Sequence, residues 1–317
     1  MFLSKVLPKP IPGTAVRLYL IRHGETNWNQ RGKIQGGGYD VPLNATGKAQ
    51  AMRAASALEG IPFDVVASSS LSRAKETADI VFDQLHCTSN NNNNNNNNKK
   101  HKHKPLRIVD GGFNEMRFGK FEGFGYRKRK EDSAKESDNN KCLNESRLAV
   151  FLVAKNKVAT DREFCFPSRG DICSETDDDN DAYWSMDADD ETFRIENDAG
   201  KGESTRCVED RALEALSKTI ARVLETDNDN EETTATATAT KKIRHVVIVS
   251  HGRTNKVMIS AMLSTTDTIG QGNTNISVLD HCGSEVGADG NPDGSTWKTG
   301  WTSRLLNYTD HVEEIIA

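Results

Sequence analysis

The sequence predicts an α/β fold, a three-layer sandwich with a mostly parallel central sheet flanked by helices. Three observations predict it. Short apolar runs such as 16–21 (VRLYLI) and 245–250 (HVVIVS) have the length and composition of strands buried on both faces. Segments of helical periodicity separate them, and strands alternating with helices imply a parallel sheet covered on both sides. The third observation is compositional. Only 35% of the 317 residues are hydrophobic and the mean hydropathy is −0.65, so polar segments dilute a smaller, better-packed core.

The elements follow in order. Residues 16–21 make the first strand, which ends at a charged turn. Residues 46–58 carry Ala49, Met52, Ala55 and Leu58 at helical spacing, with Gly60 as the stop signal. A strand over 63–67 precedes a helix over 71–85 that turns Ala74, Ala78, Val81 and Leu85 inward, and a third strand covers 106–109. A helix over 143–153 places Leu148, Phe151 and Leu152 on one face. The long amphipathic helix 203–224 has Val208, Leu213, Leu216, Ile220 and Val223 among its apolar positions. The strand 245–250 runs into a helix over 254–263, and short strands at 276–279 and 304–306 complete the sheet.

Three segments interrupt what reads as one domain over 1–317. They lie at about 88–105, 127–200 and 226–242. The first holds an unbroken Asn run, 90–98, followed by the basic stretch 99–104. The second opens on Arg127-Lys128-Arg129-Lys130 and closes in an acidic stretch; the third is acidic, then alternates Thr and Ala. Such tracts carry little apolar surface to offset the entropy of ordering them, so loops are expected, including at His101 and His103.

Charge and cysteine usage narrow the function. Forty-one Lys and Arg against 46 Asp and Glu leave a net charge of −5, which argues against a general binder of nucleic-acid backbones. The six cysteines are scattered without a CxxC pair and read as reduced thiols. No run approaches the roughly 18 apolar residues of a membrane span, and the first 14 residues have no signal-peptide core. The expected setting is cytoplasmic, organelle targeting by a short N-terminal segment being the alternative, with no nucleic acid and no membrane as partner. The acidic run 177–181 lacks the spaced ligands and glycine of a calcium loop.

Active sites of such folds lie at the carboxyl ends of the strands. Two strand ends deliver the same pattern, Arg22-His23-Gly24-Glu25-Thr26 and Ser250-His251-Gly252-Arg253. Each sets an imidazole before a glycine, which lets the chain turn tightly and a ligand approach closely. Arg73 stands in the first turn of the helix between them. Two histidines and two arginines at one sheet edge make a site for a dianion: the guanidinium fork matches phosphate oxygens, and a neutral imidazole can attack phosphorus. Glu115, just after the third strand, can protonate the leaving oxygen, because a carboxyl beside a phosphate dianion tends to hold its proton. Rival chemistries lack their spacing. Six positions after the cysteines stand Asn93, Leu148, Asp171, Asp179, Leu213 and Ala288, never the arginine of a cysteine-nucleophile phosphatase, and there is no GxxxxGK[ST] loop.

With these residues in place, the sequence resembles the histidine phosphatase superfamily, the phosphoglycerate mutase-like proteins. The matching features are Arg22 to Thr26 with Asn29, Gln35-Gly36 leading to Asp40 through Asn44, Gly47 and Gln50-Ala51, and Ser70 through Thr77. Glu115 with Gly119, Glu122 and Gly123, then Gly202-Glu203-Ser204, Ser250-His251-Gly252 and Asn273 to Leu279 continue the set. The resemblance implies that His23 is the phosphorylated nucleophile and Glu115 the proton donor, with His251 completing the catalytic set. It further implies that Arg22, Arg73 and His251 bind the phosphoryl group, that Asn29 helps hold it, and that Gly24 and Gln35 line the site. No metal and no cofactor are implied, and the partner is a small phosphate ester. The implied activity is a phosphomonoesterase working through phosphohistidine; a mutase-type transfer and a catalytically silent scaffold are the alternatives. Two departures stand out: Gly36-Gly37-Gly38 is one residue longer than the usual loop, and the interval from Gly123 to Gly202 exceeds the family's usual cap.

Overall fold

The computed structural model describes residues 3, 6–88, 105–125, 151–157, 160–166, 193–194, 202–228, 242–266, 270–283 and 297–313. The Asn run, both basic stretches, the acidic run 177–181 and the Thr/Ala alternation lie outside the described residues, as does Leu148.

Six strands form one sheet. In chain order the elements are β1 (Val16–Arg22), α1 (Asn27–Gln30), β2 (Tyr39–Asp40), α2 (Ala45–Ala57), β3 (Val65–Ser68), α3 (Ser72–Thr88) and β4 (Leu106–Val109). They continue with α4 (helical residues 151–157), β5 (Phe193–Arg194), α5 (Thr205–Asn228), β6 (Arg244–Ser250), α6 (Gly252–Leu263), β7 (Ile276–His281), β8 (Trp301–Tyr308) and α7 (Asp310–Glu313). The strand order is β4-β3-β6-β1-β7-β8. The first four are mutually parallel, as the crossover helices require, while β7 and β8 run antiparallel and close one edge. The sheet is therefore mixed, with its parallel part at the centre and at the β4 edge. β2 and β5 pair separately as a two-stranded ribbon. Two-residue strands carry no periodicity, so the sequence reading had no signal for them.

Alternation of side chains splits the core into two layers. Leu18, Leu20, Val65, Ala67, Val246 and Ile248 face α5 and α6, where Ala212, Leu216, Ile220, Met258 and Ile259 meet them. Tyr19, Ile21, Val66, Val247 and Val249 face the other way, onto Ala55, Leu58, Ala74, Ala78 and Val81 of the α2–α3 side. Val208, Leu213, Leu216, Ile220 and Val223 are all buried, as the period of α5 requires. The face of α2 differs from the expected one. Gln50, Ala51, Ala54, Ala55 and Leu58 are buried, whereas Met52 is 54% exposed. With alanines at 49, 51, 54, 55 and 57, the apolar stripe has no unique phase, and the close approach of Gly47 to Glu25 selects it.

A third cluster covers one end of the sheet. Phe151 and Ala154 of α4 pack with Ile34, Met116, Phe121, Phe166, Val208 and Val257. Leu152, expected on the inner face, is 46% exposed, because Ala154 rather than Leu152 shares the buried side with Phe151. Among the described residues, Cys165, Cys207 and Cys282 are free thiols, and no helix is long and apolar enough to cross a membrane.

Candidate active site

The parallel register of β1 and β6 pairs Arg22 with Ser250, so His23 and His251 leave adjacent strands at the same level. Their ring centroids are 5.1 Å apart at an interplanar angle of 58°. β3 ends one residue earlier in register, with Ser68 opposite Val249, and contributes Ser69 to the same edge. Three buried strands thus deliver two imidazoles and a hydroxyl to one place.

Hydrogen bonds determine which nitrogen of each ring is free. His23 Nδ1 lies 2.7 Å from the Gly24 carbonyl oxygen, an acceptor, so Nδ1 carries the proton and Nε2 presents its lone pair. Ser69 Oγ donates to Asn114 Oδ1 at 2.7 Å and so accepts from His251 Nε2 at 2.8 Å. His251 Nδ1 is buried and has no partner among the described residues. Burial, then the nearby Arg73 and Arg22, hold His23 well below the ordinary imidazole range, and only the Gly24 carbonyl acts the other way. His251 is held well below that range too, by burial, Arg73 and His23 in turn.

The two arginines are held differently. Arg73 is fully buried in the first turn of α3; its Nη1 donates to Tyr39 O at 3.2 Å and Nη2 to Gly36 O at 3.1 Å. Its Nε has no partner among the described residues, and burial pushes the guanidinium down to about 10. A buried cation with spare donors is costly unless an anion completes it. Arg22 is half-buried and donates through Nη1 to Gln271 O at 2.6 Å.

Glu115 is held against the first turn of α6. Its Oε2 accepts from Arg253 N at 3.1 Å, and its Oε1 from Thr254 N and Thr254 Oγ1, both at 3.1 Å, and from Met116 N at 2.9 Å. Glu122, the other carboxyl of the segment, braces the glycine loop: Oε2 accepts from Gly38 N at 3.0 Å and Oε1 from Phe118 N at 2.8 Å. Burial raises it to about 7.

Asn29 and Gln35 sit one step away. Asn29 caps α1 together with Thr26, and Asn273 Nδ2 links its Oδ1 (3.4 Å) to the His23 carbonyl (3.2 Å). Gln35 Oε1 accepts from Thr26 Oγ1 at 2.8 Å, while its Nε2 is buried without a partner among the described residues. Gly24 donates to Thr77 Oγ1 at 3.1 Å, and a Cβ on it would lie 2.4 Å from Gly47 O, so only glycine fits between β1 and α2. The structure thus joins His23, His251, Arg22, Arg73 and Glu115 at one edge and attaches Asn29, Gln35 and Gly24 through the loop behind His23.

Three contributors were given no role from the sequence. Asn114 Oδ1 accepts from Ser69 Oγ, Ser70 N and Ser70 Oγ, fastening the β3 end to the Glu115 segment. Arg211 donates to the carbonyls of Gly112, Asn114 and Glu115 and pairs with Glu203. Asp40 accepts from Ser72 N and Ser72 Oγ, orienting the first turn of α3. Arg211 had a legible signal, a charge within the apolar stripe of an amphipathic helix between Val208 and Ala215. The other two, Asp40 at the end of the two-residue strand β2 and Asn114 in a loop, are polar residues whose partners lie 32 and 45 positions away.

The family model described as histidine phosphatase superfamily (branch 1) matches residues 18–93, which contain the His23 and Arg73 segments. Over that segment the chain is similar to the histidine phosphatase superfamily. Over 67 residues it is 46% identical to a Bacillus subtilis protein named uncharacterized phosphatase PhoE, covering 21% of this chain and 34% of that one. Over 72 residues it is 40% identical to an Escherichia coli protein named "Probable phosphoglycerate mutase GpmB", covering 23% of this chain and 33% of that one. The matched segments thus span about a third of these two relatives. Among solved structures, one named mycobacterial hydrolase 1 aligns over 92% of this chain and 98% of its own at a TM-score of 0.55 and 18% identity. A mycobacterial glucosyl-3-phosphoglycerate phosphatase in complex with VO3 aligns over the same shares, 92% and 98%, at 0.51 and 18%. Both share the fold.

Proposed function

We propose that the protein is a metal-independent phosphomonoesterase that acts through a phosphohistidine on a small phosphorylated metabolite. The observation that carries this reading is the orientation of His23: buried, neutral, its Nδ1 proton on the Gly24 carbonyl, and its Nε2 toward an edge lined by Arg22, Arg73 and His251. In the first step the Nε2 lone pair forms a bond to phosphorus while the phosphorus–oxygen ester bond breaks. The departing alcohol oxygen takes the ester electron pair and a proton from Glu115. The spare donors of Arg73, with Arg22, take up charge on the transferring oxygens, the work a metal ion performs in other phosphoryl transfers. His251, fixed through Nε2 on Ser69, turns Nδ1 to the same group; an incoming phosphomonoester monoanion passes its proton to that nitrogen, which then donates back to the dianion so formed. In the second step Glu115 accepts a proton from water, the water oxygen bonds to phosphorus, and the nitrogen–phosphorus bond breaks to release inorganic phosphate.

The test is phosphate release, in EDTA, from sugar phosphates, phosphoglycerates and p-nitrophenyl phosphate, with wild type beside His23→Ala. Release that survives EDTA and falls by about three or more orders of magnitude in the variant supports the reading. Equal release by the variant overturns it. The GpmB relative favours one second reading, in which phospho-His23 returns the group to a phosphoglycerate rather than to water. Interconversion of phosphoglycerates without net phosphate release would establish that alternative, and a protein with neither activity nor phosphohistidine would be a silent scaffold.

A further inference from the structure

The cations around this edge sort into two sets. Arg117 and Arg211 are tied to Glu203, Arg162 to Glu209 and Arg206 to Glu163. Arg253, Lys256 and Lys155 form no ion pair among the described residues; the guanidinium of Arg253 reaches only Thr205 Oγ1, at 3.4 Å.

These three are brought together by packing. Arg253 and Lys256 are three positions apart on α6 and so share a face. Val257 beside Lys256 and Ala154 beside Lys155 belong to one buried cluster, which sets α4 against α6. The acid whose charge acts on Arg253 and Lys256 is Glu115, but its oxygens already accept from Met116, Arg253 and Thr254. The ammonium of Lys256 is held below its usual range by burial, then by Arg253, Lys155 and Arg22 in turn, and Arg253 is lowered by burial. Two half-buried cations, Arg253 and Lys256, with the exposed Lys155 nearby, leave a positive field beside the catalytic edge that an anion would neutralise.

The location says which part of a substrate meets them. In the mechanism above the leaving alcohol departs toward Glu115, and Arg253 flanks Glu115 through its own backbone N–H. The far end of the leaving group, not the phosphoryl group, therefore faces the second set of cations.

We propose that Arg253 and Lys256 of α6, with Lys155 of α4, form a second anion subsite, so that the preferred substrate is a phosphomonoester whose alcohol carries another anionic group, a carboxylate or a second phosphate. This inference rests on the phosphomonoesterase reading for its orientation. It also assigns a task to part of the long interval between Gly123 and Gly202: α4 contributes Lys155 as well as the apolar contacts of Phe151 and Ala154.

A matched set of probes tests it: butyl phosphate, 4-phosphooxybutanoate and butane-1,4-diol bisphosphate, which differ only at the distal end. The expected kcat/KM is about 10-fold or more higher for one or both doubly anionic esters than for butyl phosphate, a charge-assisted contact being of that size. The larger ratio tells carboxylate from phosphate. In Arg253→Gln/Lys256→Gln the ratio should collapse to within about threefold of unity. Arg253→Lys/Lys256→Arg should restore it, which separates lost charge from lost folding. Equal kcat/KM for all three esters in the wild type, or a preference that survives the double glutamine variant, overturns the subsite while the phosphomonoesterase reading stands. If none of the three esters is hydrolysed, that reading falls, and calorimetric affinities of the wild type for them decide the subsite. An affinity ratio that the double glutamine variant abolishes supports it; equal affinities overturn it.

Discussion

The chemistry of this edge is set by single protons. With Nδ1 of His23 bound to the Gly24 carbonyl and the ring held far below its usual titration range, Nε2 stays unprotonated as the pH falls through 6.5. Rapid-quench measurement of phosphohistidine formation from p-nitrophenyl phosphate should therefore vary less than about twofold between pH 7.5 and 6, whereas a midpoint near the free-imidazole value would mean a hydrated His23. Glu122 works in the opposite sense. Its pKa is raised to about 7 from an ordinary 4.5, so the stability it contributes is fully present below 4.5 and is lost as the pH rises through 7. Glu122→Gln is neutral at every pH, so relative to wild type its stability should improve from pH 5 to pH 8. The difference is on the order of 1–3 kcal/mol by urea titration at the two pH values. A constant difference between the two proteins would show that Glu122 does not titrate in this window.

Elements act here through their first turns. α3 presents Arg73 because Asp40, 32 positions earlier, takes the free N–H and the hydroxyl of Ser72 at 2.8 and 2.6 Å. Asp40→Ala should destabilise the fold by about 1–2 kcal/mol, as other lost helix caps do. Because Arg73 then loses its orientation, kcat/KM should drop by about 10-fold or more; an unchanged kcat/KM would show that α3 holds Arg73 without Asp40. α6 uses its first turn to hold the Glu115 carboxylate, and α5 uses Arg211 to hold the backbone behind it. Arg73 and Glu115 are thus each positioned by an element other than their own.

Across the whole molecule, the sheet changes from parallel to antiparallel at the β1–β7 pair, and a buried ion pair spans that seam. Arg17 and Asp280 are 3% and 0% exposed and pair bidentately, Nε to Oδ1 at 2.6 Å and Nη2 to Oδ2 at 2.8 Å. Removing one partner strands the other charge in the core, so Asp280→Ala should cost about 3–5 kcal/mol in urea unfolding. Arg17→Met/Asp280→Leu should recover most of that loss; a double variant as unstable as the single one would mean that the seam depends on the pair itself. The seam lies beside β1, which leads into His23, so the candidate site and the stability of the sheet share one strand.

Read from the residues alone, the strands and helices of the sheet were legible because period and strand-end glycines are local features, and so was the convergence of His23, His251, Arg22 and Arg73. Parallel strands in register bring their carboxyl ends to one edge whatever the loops do. Glu115 was read from its place just after the third strand and again from the resemblance, and its contact with the start of α6 is a tertiary fact. The phase of α2, the β2–β5 ribbon, the bonds of Asn114 and Asp40, and the convergence of Arg253, Lys256 and Lys155 were decided only by the folded chain. In each case the free energy lies in contacts between distant residues: a backbone approach at Gly47, a hydroxyl held across the β3 end, a buried cluster that takes Ala154 from α4 and Val257 from α6. Composition carries no trace of such pairings, because polar loop residues and alanines are common to many arrangements until packing selects one.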